Sequence, residues 1–385
     1  MTKISEKFFD DFQDKQISEM LTMSDRQLNT LLLELFNKRS KNISPKGVLD
    51  RYISMYEFFC PSKTDLRYIS DFNRIFFECL PEKYDAIELS PITPFGGNTC
   101  ITRLSQKNIL TTSKTSEVCS DATTALSLEA CKRRKEILNS EIVKKKKGII
   151  DNSSINNEVN LATSKKVLRM QQFDKTKGYL QHFGQFAAIT AGRKRENFEY
   201  EKIKEHIKIW VDLFEKLLKE NYALGEINVG ICHIDIIEHF IRNNFVDRKI
   251  VNANSFNDFK LFDELKIDLP DKIIDYDDLT DRQKEKYKLN FIKQHIEQIS
   301  NMIDELKLDY PNVNFYIEMD RKGGLGYYVG SCFHIYSKEN EYYVPLCDGG
   351  IPNWNEKLMC DKKETSVVSG IGSELVLNLY GNRGR

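Results

Sequence analysis

The chain has 385 residues, enough for one large domain or two of ordinary size, and 41% of them are apolar. Lysine plus arginine and aspartate plus glutamate both number 57, so no global field favours nucleic acid or an anionic membrane. The nine cysteines are scattered and form no Cys-x-x-Cys pair, which argues against a disulfide framework and a structural zinc site and indicates free thiols in a reducing compartment.

The N-terminus predicts a cytoplasmic protein. The first residues, MTKISEKFFDDFQDKQ, are charged throughout and lack the apolar core of a signal peptide. No stretch approaches the roughly 20 apolar residues that a membrane span requires. We therefore expect no membrane partner.

Helical spacing dominates the first quarter of the chain. Residues 1–60 are predicted to form a helical N-terminal segment, because SDRQLNTLLLELFNKRS repeats apolar residues at helical spacing behind Ser24. A second amphipathic helix is predicted over 64–84. AIELSPITPFG then reads as a strand that is closed at Pro91.

Strands alternate with helices in the next part of the chain. KNILTTSKTSEV predicts a strand, and DATTALSLEACKRRKEIL predicts a helix. The polar segment 139–160, rich in Asn and Ser, is predicted to be an exposed insertion. KKVLRMQQF and YLQHFGQFAAITAG predict an antiparallel strand pair across a polar turn at 174–178.

The second half completes an α+β pattern. A long amphipathic helix is predicted over 197–222, a strand in EINVGIC and a helix in IDIIEHFI, followed by a mostly helical insertion at 247–305. Strands return over 315–350, and ETSVVSGIGSELVLNLYG predicts a strand, a glycine turn and a helix. We therefore expect a large antiparallel sheet flanked by helices. No glycine-rich phosphate motif follows a strand, which argues against a doubly wound nucleotide fold.

Four distant segments each join an apolar strand to polar groups. In the first, Asp121 and Thr123 stand at a predicted helix start, where they either cap the helix or meet a ligand. In the second, Arg169 lies in a strand that is otherwise apolar on its face. A buried guanidinium requires an anionic partner, either a phosphate or an internal carboxylate.

The other two segments are rich in glycine. In GGLGYYVG, glycines bring the backbone close to another group, and Tyr327 and Tyr328 point to opposite sides of the sheet. In SGIGSELV, Gly370 and Gly372 lead into a helix whose N-terminus could meet an anion.

Taken in order, these segments resemble the catalytic domain of class II aminoacyl-tRNA synthetases, most closely the branch of histidyl-tRNA synthetase and the regulatory subunit of ATP phosphoribosyltransferase. Pro91 stands at the place of the motif 1 proline, Arg169 at the motif 2 arginine, and GIGSEL at motif 3. GLGYYVGSCFHIY is similar to the branch's Gly-Leu-Asp-Tyr-Tyr-Thr-Gly signature. The resemblance covers about residues 64–380, and it implies a synthetase-like domain over 61–385.

The resemblance implies a pocket for a ligand with an amino group. In the family an acid-x-Thr pair and a motif 2 glutamine hold the substrate amino group, and Asp121, Thr123 and Gln185 occupy those places. Arg169 would meet an α-phosphate or the ligand carboxylate, and Gln171 would read adenine in an active enzyme. The other implied ligand-binding residues are Arg321, Tyr327, Tyr328, Gly370 and Gly372.

The sequence departs from the family where ATP chemistry takes place. Ile189 replaces the acid that reads imidazole, so histidine is a poor ligand candidate. Gly323 replaces the arginine before the tyrosine pair, with Arg321 two residues earlier, and Leu375 replaces the motif 3 arginine. Losing fixed cations removes the electrostatic stabilisation on which adenylation depends. The chain ends about ten residues after motif 3 without an anticodon-binding domain, so we expect no tRNA charging in the usual manner.

Three functions are open. The favoured one is a synthetase-derived regulatory or binding protein that senses a small amino-containing ligand, an amino acid or a nucleotide, and acts through a protein partner. The first alternative is an enzyme that uses ATP and Mg²⁺ to activate an amino or carboxylic acid for a non-standard acceptor. The second alternative is RNA binding through a basic cluster that consists of Lys132, Arg133, Arg134, Lys144, Lys145 and Lys146.

Two further expectations concern assembly and metals. Motif 1 builds a two-fold dimer in the family, so we expect a homodimer through 64–95. His233, Asp235 and His239 have the residue types of a metal site, but their spacing fits no known zinc pattern, and no metal site is predicted.

Overall fold

The structure of the chain is a computed structural model, and its helices lie mostly where the sequence predicts them. It describes residues 14–55, 60–62, 64–102, 105–112, 114–146, 157–171, 181–253, 260–339 and 342–381. The helices are α1 Asp14–Thr22, α2 Asp25–Ser40, α3 Pro45–Ser54, α4 Leu66–Cys79, α5 Gly97–Thr102, α6 Ala122–Lys146, α7 Phe198–Lys219, α8 Ile234–Arg242, α9 Arg248–Ala253, α10 Leu261–Glu264, α11 Asp281–Lys286, α12 Lys293–Asp309, α13 Trp354–Met359 and α14 Ser373–Tyr380.

Strands form the centre of the fold. They are β1 Asp85–Ala86, β2 Ile92–Pro94, β3 Ser116–Val118, β4 Val159–Leu168, β5 His182–Arg193, β6 Ile227–His233, β7 Lys272–Ile273, β8 Asn314–Glu318, β9 Tyr328–Glu339, β10 Tyr342–Pro352 and β11 Glu364–Gly372. Nine of them form one sheet in the order β1-β4-β5-β11-β10-β9-β6-β8-β7, and β2 pairs with β3 alone. Within the sheet β1 pairs with β4, and β6 with β8, in parallel; the other pairs are antiparallel. The predicted α+β class is confirmed.

Helices cover both faces of this sheet. On one face, called the front face below, α6 packs on β4 and β5, and α13 packs on β11. On the back face the Phe186 ring stacks on Phe76 of α4 with centroids 4.3 Å apart, and Trp210 of α7 donates to Ser369 Oγ at 2.7 Å. Each such buried aromatic ring contributes about 1.5–3 kcal/mol of apolar burial. The core therefore lies between the sheet and its helices.

The N-terminal helices contribute little to that core. Helices α2 and α3 begin at capping residues Ser24 and Ser44, whose hydroxyls accept from the backbone three residues on. Neither helix contains a buried residue. Capping and helical spacing thus explain why they form, whereas nothing in the described part of the chain encloses them.

Several predicted boundaries change. The segment predicted as an insertion, 139–160, overlaps both neighbouring elements, because α6 continues to Lys146 and β4 begins at the buried Val159; residues 147–156 lie outside the described residues. The turn predicted at 174–178 also lies outside them. The segment 247–305 contains α9, α10, α11 and most of α12, together with the two-residue strand β7. Among the described helices, none combines the length and the apolar character needed to cross a membrane.

Candidate functional site

The front face of the sheet collects the predicted site residues. Strand register places Asp348 of β10 opposite Gly370 of β11 and His334 of β9, and it places Gly370 opposite Ala187 of β5. Gln185 lies two residues from Ala187, on the same face. Residues that are far apart in the chain therefore form one line across the middle strands.

The first half of the site is built at the start of α6. Asp121 Oδ1 accepts from the Thr123 hydroxyl at 2.7 Å and from the Thr123 backbone N–H at 2.9 Å, as a helix-capping side chain does. Gln185 Nε2 lies 3.5 Å from the same oxygen, and Gln185 Oε1 accepts from Ala122 N at 2.9 Å. The structure thus brings together the three residues assigned to an amino group.

Arg169 completes this half. It follows β4 directly, and its Nη2 donates to Asp121 Oδ2 at 3.0 Å while its Nε donates to the Ser120 carbonyl at 3.0 Å. The guanidinium also lies over the Phe183 ring, 5.4 Å from its centroid. Of the two partners that the sequence left open for Arg169, the structure contains the internal carboxylate.

The second half of the site surrounds Arg321. This side chain is 1% exposed, and its Nη2 donates to Asp348 Oδ1 at 2.7 Å while its Nε donates to the Gly323 carbonyl at 3.0 Å. Tyr328 donates to the other Asp348 oxygen at 2.8 Å. Glu318 Oε2 lies 3.7 Å from Arg321 Nη1. Arg321 is therefore held between two carboxylates.

Glu318 is ionised by its neighbours. Burial alone would raise the pKa of its carboxyl, but His334 and the positive charge of Arg321 outweigh burial and lower that pKa to about 2. Tyr336 donates to Glu318 Oε1 at 3.2 Å, and His334 Nδ1 lies 3.6 Å from Oε2. The second half is therefore one connected network of charged and hydroxyl groups on the front face.

Tyr327 lies between the two halves. Its ring packs at right angles on Tyr328 and on Trp354, with centroids 4.7 Å apart in both cases. Burial, and then the negative charges of Asp121 and Asp348, raise the pKa of Tyr327 well above its usual range, so the phenol remains protonated at neutral pH. The hydroxyl of Tyr327 can therefore donate a hydrogen bond in a site that is lined by carboxylates.

The formal charge of the site is negative. Asp121, Glu318 and Asp348 contribute three negative charges, and Arg169 and Arg321 contribute two positive charges, so these carboxylates and guanidiniums together carry one excess negative charge. Asp348 is the most accessible of the three carboxylates, with its side chain 49% exposed. An amino group would balance this charge.

The remaining predicted site residues have other surroundings. A Cβ at Gly370 would lie 3.0 Å from the Phe186 carbonyl oxygen and 3.3 Å from Gln185 Nε2, so glycine leaves room for that amide. Gly372 precedes α14 and faces Gln185 across the strands. Gln171 accepts from Asn108 Nδ2 at 3.4 Å.

The N-terminus of α14, predicted to meet a ligand anion, carries an anion of its own. The Glu374 carboxylate accepts from Gly184 N at 2.7 Å and from Lys166 Nζ at 2.9 Å. Leu375, at the place of the motif 3 arginine, packs against the hydrophobic core. The N-terminus of α14 is thus occupied by a carboxylate of the protein itself.

The predicted basic cluster is corrected at one position. Arg134 is fully buried, and its guanidinium binds Glu364 in a bidentate pair, so it cannot contact RNA. Arg133 pairs with Glu129 and Asp85, and Lys132 pairs with Glu136. The side chains of Lys144, Lys145 and Lys146 lie outside the described part of the structure.

Sequence reasoning missed four residues of the second half, namely Glu318, His334, Tyr336 and Asp348. Alternation along β9 places positions 328, 332, 334 and 336 on one face, which is the signal that could have found His334 and Tyr336. Asp348 precedes Gly349 and Gly350 in β10, and only the folded structure shows that it meets Arg321.

Known structures with this fold were found by structural comparison. A protein described as an ATP phosphoribosyltransferase regulatory subunit/histidyl-tRNA synthetase from Bacillus halodurans C is 14% identical over 84% of this chain and 83% of its own, with a TM-score of 0.54. Histidyl-tRNA synthetase from Nostoc sp. PCC 7120 is 14% identical over 81% and 70%, with a TM-score of 0.52. A histidine–tRNA ligase subunit from Alicyclobacillus acidocaldarius is 10% identical over 82% and 95%, with a TM-score of 0.55.

Sequence comparison adds nothing to this likeness. The chain matches no protein-family model, and no curated protein sequence matches it. At 10–14% identity the likeness to the solved structures concerns the fold alone.

Proposed function

From the premise that this chain has a class II aminoacyl-tRNA synthetase-like fold, we propose that it is a synthetase-derived regulatory or binding protein that recognises a small amino-containing ligand. One of its structural neighbours is described as a regulatory subunit, which supports this class of function. The fold serves several functions, so the surroundings of the site residues decide among them.

The observation that carries the proposal is that the cations of the site are bound by internal acceptors. Arg169 is paired with Asp121, and Arg321 is paired with Asp348. Phosphoryl chemistry requires fixed cations that are directed at the phosphates. Cations that are already neutralised favour binding without adenylation.

The charge of the site favours an amino group as the recognised feature. Asp348 is about half exposed, and the charges of Asp348 and Asp121 both act on the Tyr327 hydroxyl. An ammonium beside either carboxylate would gain an acceptor for its donors and would remove the excess negative charge. The Tyr327 hydroxyl can hydrogen bond to a neutral or anionic part of the same ligand.

Calorimetric titration of the full chain with a panel of the common amino acids tests this proposal. We expect at least one to bind, and we expect Asp348→Asn and Asp121→Asn each to weaken that amino acid at least about tenfold, since each removes a charge-assisted contact. Asp277→Asn is the matched control, because the Asp277 side chain is exposed and pairs only with Lys284 in the described structure. The absence of heat from every amino acid, with a folded protein, would contradict the proposal.

The alternative is ATP-dependent activation of an amino or carboxylic acid with Mg²⁺. One observation favours it: Arg169, at the motif 2 position, is still 24% exposed, so a phosphate could approach it. Amino-acid-dependent exchange of pyrophosphate into ATP, measured with the same panel, separates the two functions. Exchange above the level of an Arg169→Met variant would establish the enzyme and overturn the regulatory proposal.

We also propose that the chain forms a homodimer through residues 64–95 and, as a regulatory protein, binds a protein partner in the cytoplasm. Leu66, Phe77, Ile92 and Phe95 are exposed apolar side chains in this region. Light scattering after gel filtration should give twice the chain mass, and Phe95→Asp should shift it to the chain mass. A wild-type protein that elutes at 44.9 kDa would contradict the dimer.

A further inference from the structure

Four potential metal ligands meet at the rim of the sheet, away from the candidate site. Glu199 comes from the first turn of α7, His233 from the end of β6, Asp235 from the start of α8 and His295 from the start of α12. Ligand atoms of the last three all lie within 4.8 Å of one another. Imidazole and carboxylate are ligands that zinc and similar divalent ions accept.

Two separations within this cluster are close to the edge length of a metal coordination shell. His233 Nε2 lies 3.4 Å from Glu199 Oε1, and His295 Nε2 lies 3.6 Å from Asp235 Oδ2. These distances are long for hydrogen bonds. A tetrahedral Zn²⁺ with bonds of about 2.0–2.1 Å places its ligand atoms about 3.3–3.5 Å apart.

Neighbouring groups hold the ligands in place. The Tyr200 hydroxyl lies 3.4 Å from His295 Nδ1, which directs Nε2 towards the cluster. Arg242 donates to Asp235 Oδ1 at 3.1 Å and leaves Oδ2 for the cluster, and Ser331 N donates to Glu199. Metal sites commonly have such outer contacts, which fix the orientation of each ligand.

Two adjustments accompany ion binding. The imidazoles of His233 and His295 are stacked, with centroids 3.7 Å apart and planes at 12°, so the half-buried His295 ring must rotate to direct its lone pair at a common point. His233 Nδ1 accepts from Asp235 N at 3.1 Å. When Nε2 binds an ion, the ring proton occupies Nδ1, so this capping hydrogen bond from Asp235 N is lost.

One residue of the trio His233, Asp235 and His239 does not lie in this cluster. His239 Nε2 bonds to the Tyr287 carbonyl at 2.7 Å inside the helical insertion. His295 takes its place from a helix that lies far along the chain. Spacing along the chain could not reveal this, because α12 reaches the rim of the sheet only in the folded protein.

We propose that Glu199, His233, Asp235 and His295 bind one Zn²⁺ ion or a similar divalent transition-metal ion. Two carboxylates and two neutral imidazoles provide two negative charges for the two positive charges of the ion. Because the four ligands come from four elements, the ion ties the helical insertion to the end of β6 and to α7. Its role in the fold is that of a structural clamp, independent of the ligand site on the front face.

Zinc titration of the full chain tests this proposal. Cys100 and Cys360 are exposed and thiolates are zinc ligands, so the titration uses a Cys100→Ser/Cys360→Ser background that removes both thiols. We expect one ion per chain, and at least about tenfold weaker binding in His295→Ala and in Asp235→Asn. His182→Ala is the matched control, since His182 contacts the Cys60 carbonyl elsewhere and should bind zinc as the background does.

Thermal unfolding gives an independent measurement. Zinc should raise the melting temperature of the background and of His182→Ala, because an ion that binds only the folded state stabilises it. It should raise that of His295→Ala much less. Circular dichroism verifies that each variant is folded. The proposal is overturned if the background binds no stoichiometric zinc, or if His295→Ala and Asp235→Asn bind it as tightly as the background.

Discussion

The start and the middle of helix α6 each carry an arginine–carboxylate pair, and the two pairs differ in burial. At the start, Arg169 and Asp121 are 24% and 14% exposed. In the middle, Arg134 and Glu364 are both 0% exposed. Both pairs join α6 to neighbouring strands, yet only the first is accessible to a ligand. Burial, rather than residue type, separates the structural pair from the candidate functional pair.

The geometry of the buried pair explains why it has to stay intact. Arg134 Nε donates to Glu364 Oε2 at 2.9 Å and Nη2 donates to Oε1 at 2.8 Å, while Nη1 donates to the Asn157 carbonyl. A bidentate pair of this kind compensates two desolvated charges. Removing one member leaves the other charged and buried.

The largest expected effect therefore comes from Glu364→Gln. We expect it to lower the free energy of unfolding by about 3–5 kcal/mol, measured by urea denaturation. The double variant Arg134→Met/Glu364→Leu should be more stable than either single change, because it leaves no unpaired charge. A cost below about 1 kcal/mol for Glu364→Gln would show that burial is not what distinguishes the two pairs.

A buried neutral group on the back face should make stability depend on pH. His206 bonds to Ser369 Oγ at 2.7 Å and to Thr190 Oγ1 at 3.1 Å, and burial lowers its pKa from 6.5 to about 3. Below pH 6.5 the His206 imidazole is protonated in the unfolded chain, whereas in the folded chain it stays neutral until the pH approaches 3. The contribution of neutral His206 to the free energy of unfolding is therefore fully present above pH 6.5 and is lost as the pH falls towards 3.

His206→Gln should reduce this acid sensitivity. Between about pH 7 and pH 5, the slope of unfolding free energy against pH should fall by up to about 1.4 kcal/mol per unit relative to wild type. Urea denaturation at several pH values measures it. Equal slopes for the two proteins would mean that folding does not lower the pKa of His206.

The accessible pair should respond differently from the buried one. Asp121→Asn, the counterpart of Glu364→Gln, should cost only about 1–2 kcal/mol of stability, because partial exposure reduces the penalty on Arg169. It should nevertheless reduce binding of the amino acid that gives the largest heat in the panel. A loss of stability equal to that of Glu364→Gln, without loss of binding, would make the Asp121 pair structural as well.

The smallest effect is expected on the outer surface of α6. Lys132 is paired with Glu136, and both side chains are more than half exposed. Lys132→Ala should change the unfolding free energy by less than about 0.5 kcal/mol. Arg134→Ala, two residues further on, should cost several times more in the same urea titration. Similar costs for the two changes would contradict the burial argument.

Much of the fold could be predicted from local patterns. Helical spacing and capping predicted α2 and α7, and strand patterns predicted β5, β6 and β11, because each signal lies within one element. The strand expected from AIELSPITPFG is instead the two short strands β1 and β2, which pair with different partners. The sequence showed Pro91, which separates the two strands, but it did not show that β1 and β2 pair with different strands.

The site was predictable only in its first half. Asp121, Thr123, Gln185 and Arg169 meet as the motif order implied, and Arg321 and the two tyrosines lie close by. The sequence could not show that Asp348 and Glu318 surround Arg321, since register across three strands decides it. Nor could it show that Arg134 is buried, because a run of cations in a helix does not reveal which of them faces the core and which faces solvent.

By itself, then, the sequence determined the α+β pattern, the synthetase-like order of its segments and the residue types on the front face. Local propensity and periodicity are short-range properties, and they survive without tertiary contacts. Only the tertiary structure decided the partner of each charged group, which arginine is accessible, and which histidine joins the rim cluster. Those outcomes depend on burial and on the pairing of distant strands and helices, and both exist only once the chain has folded.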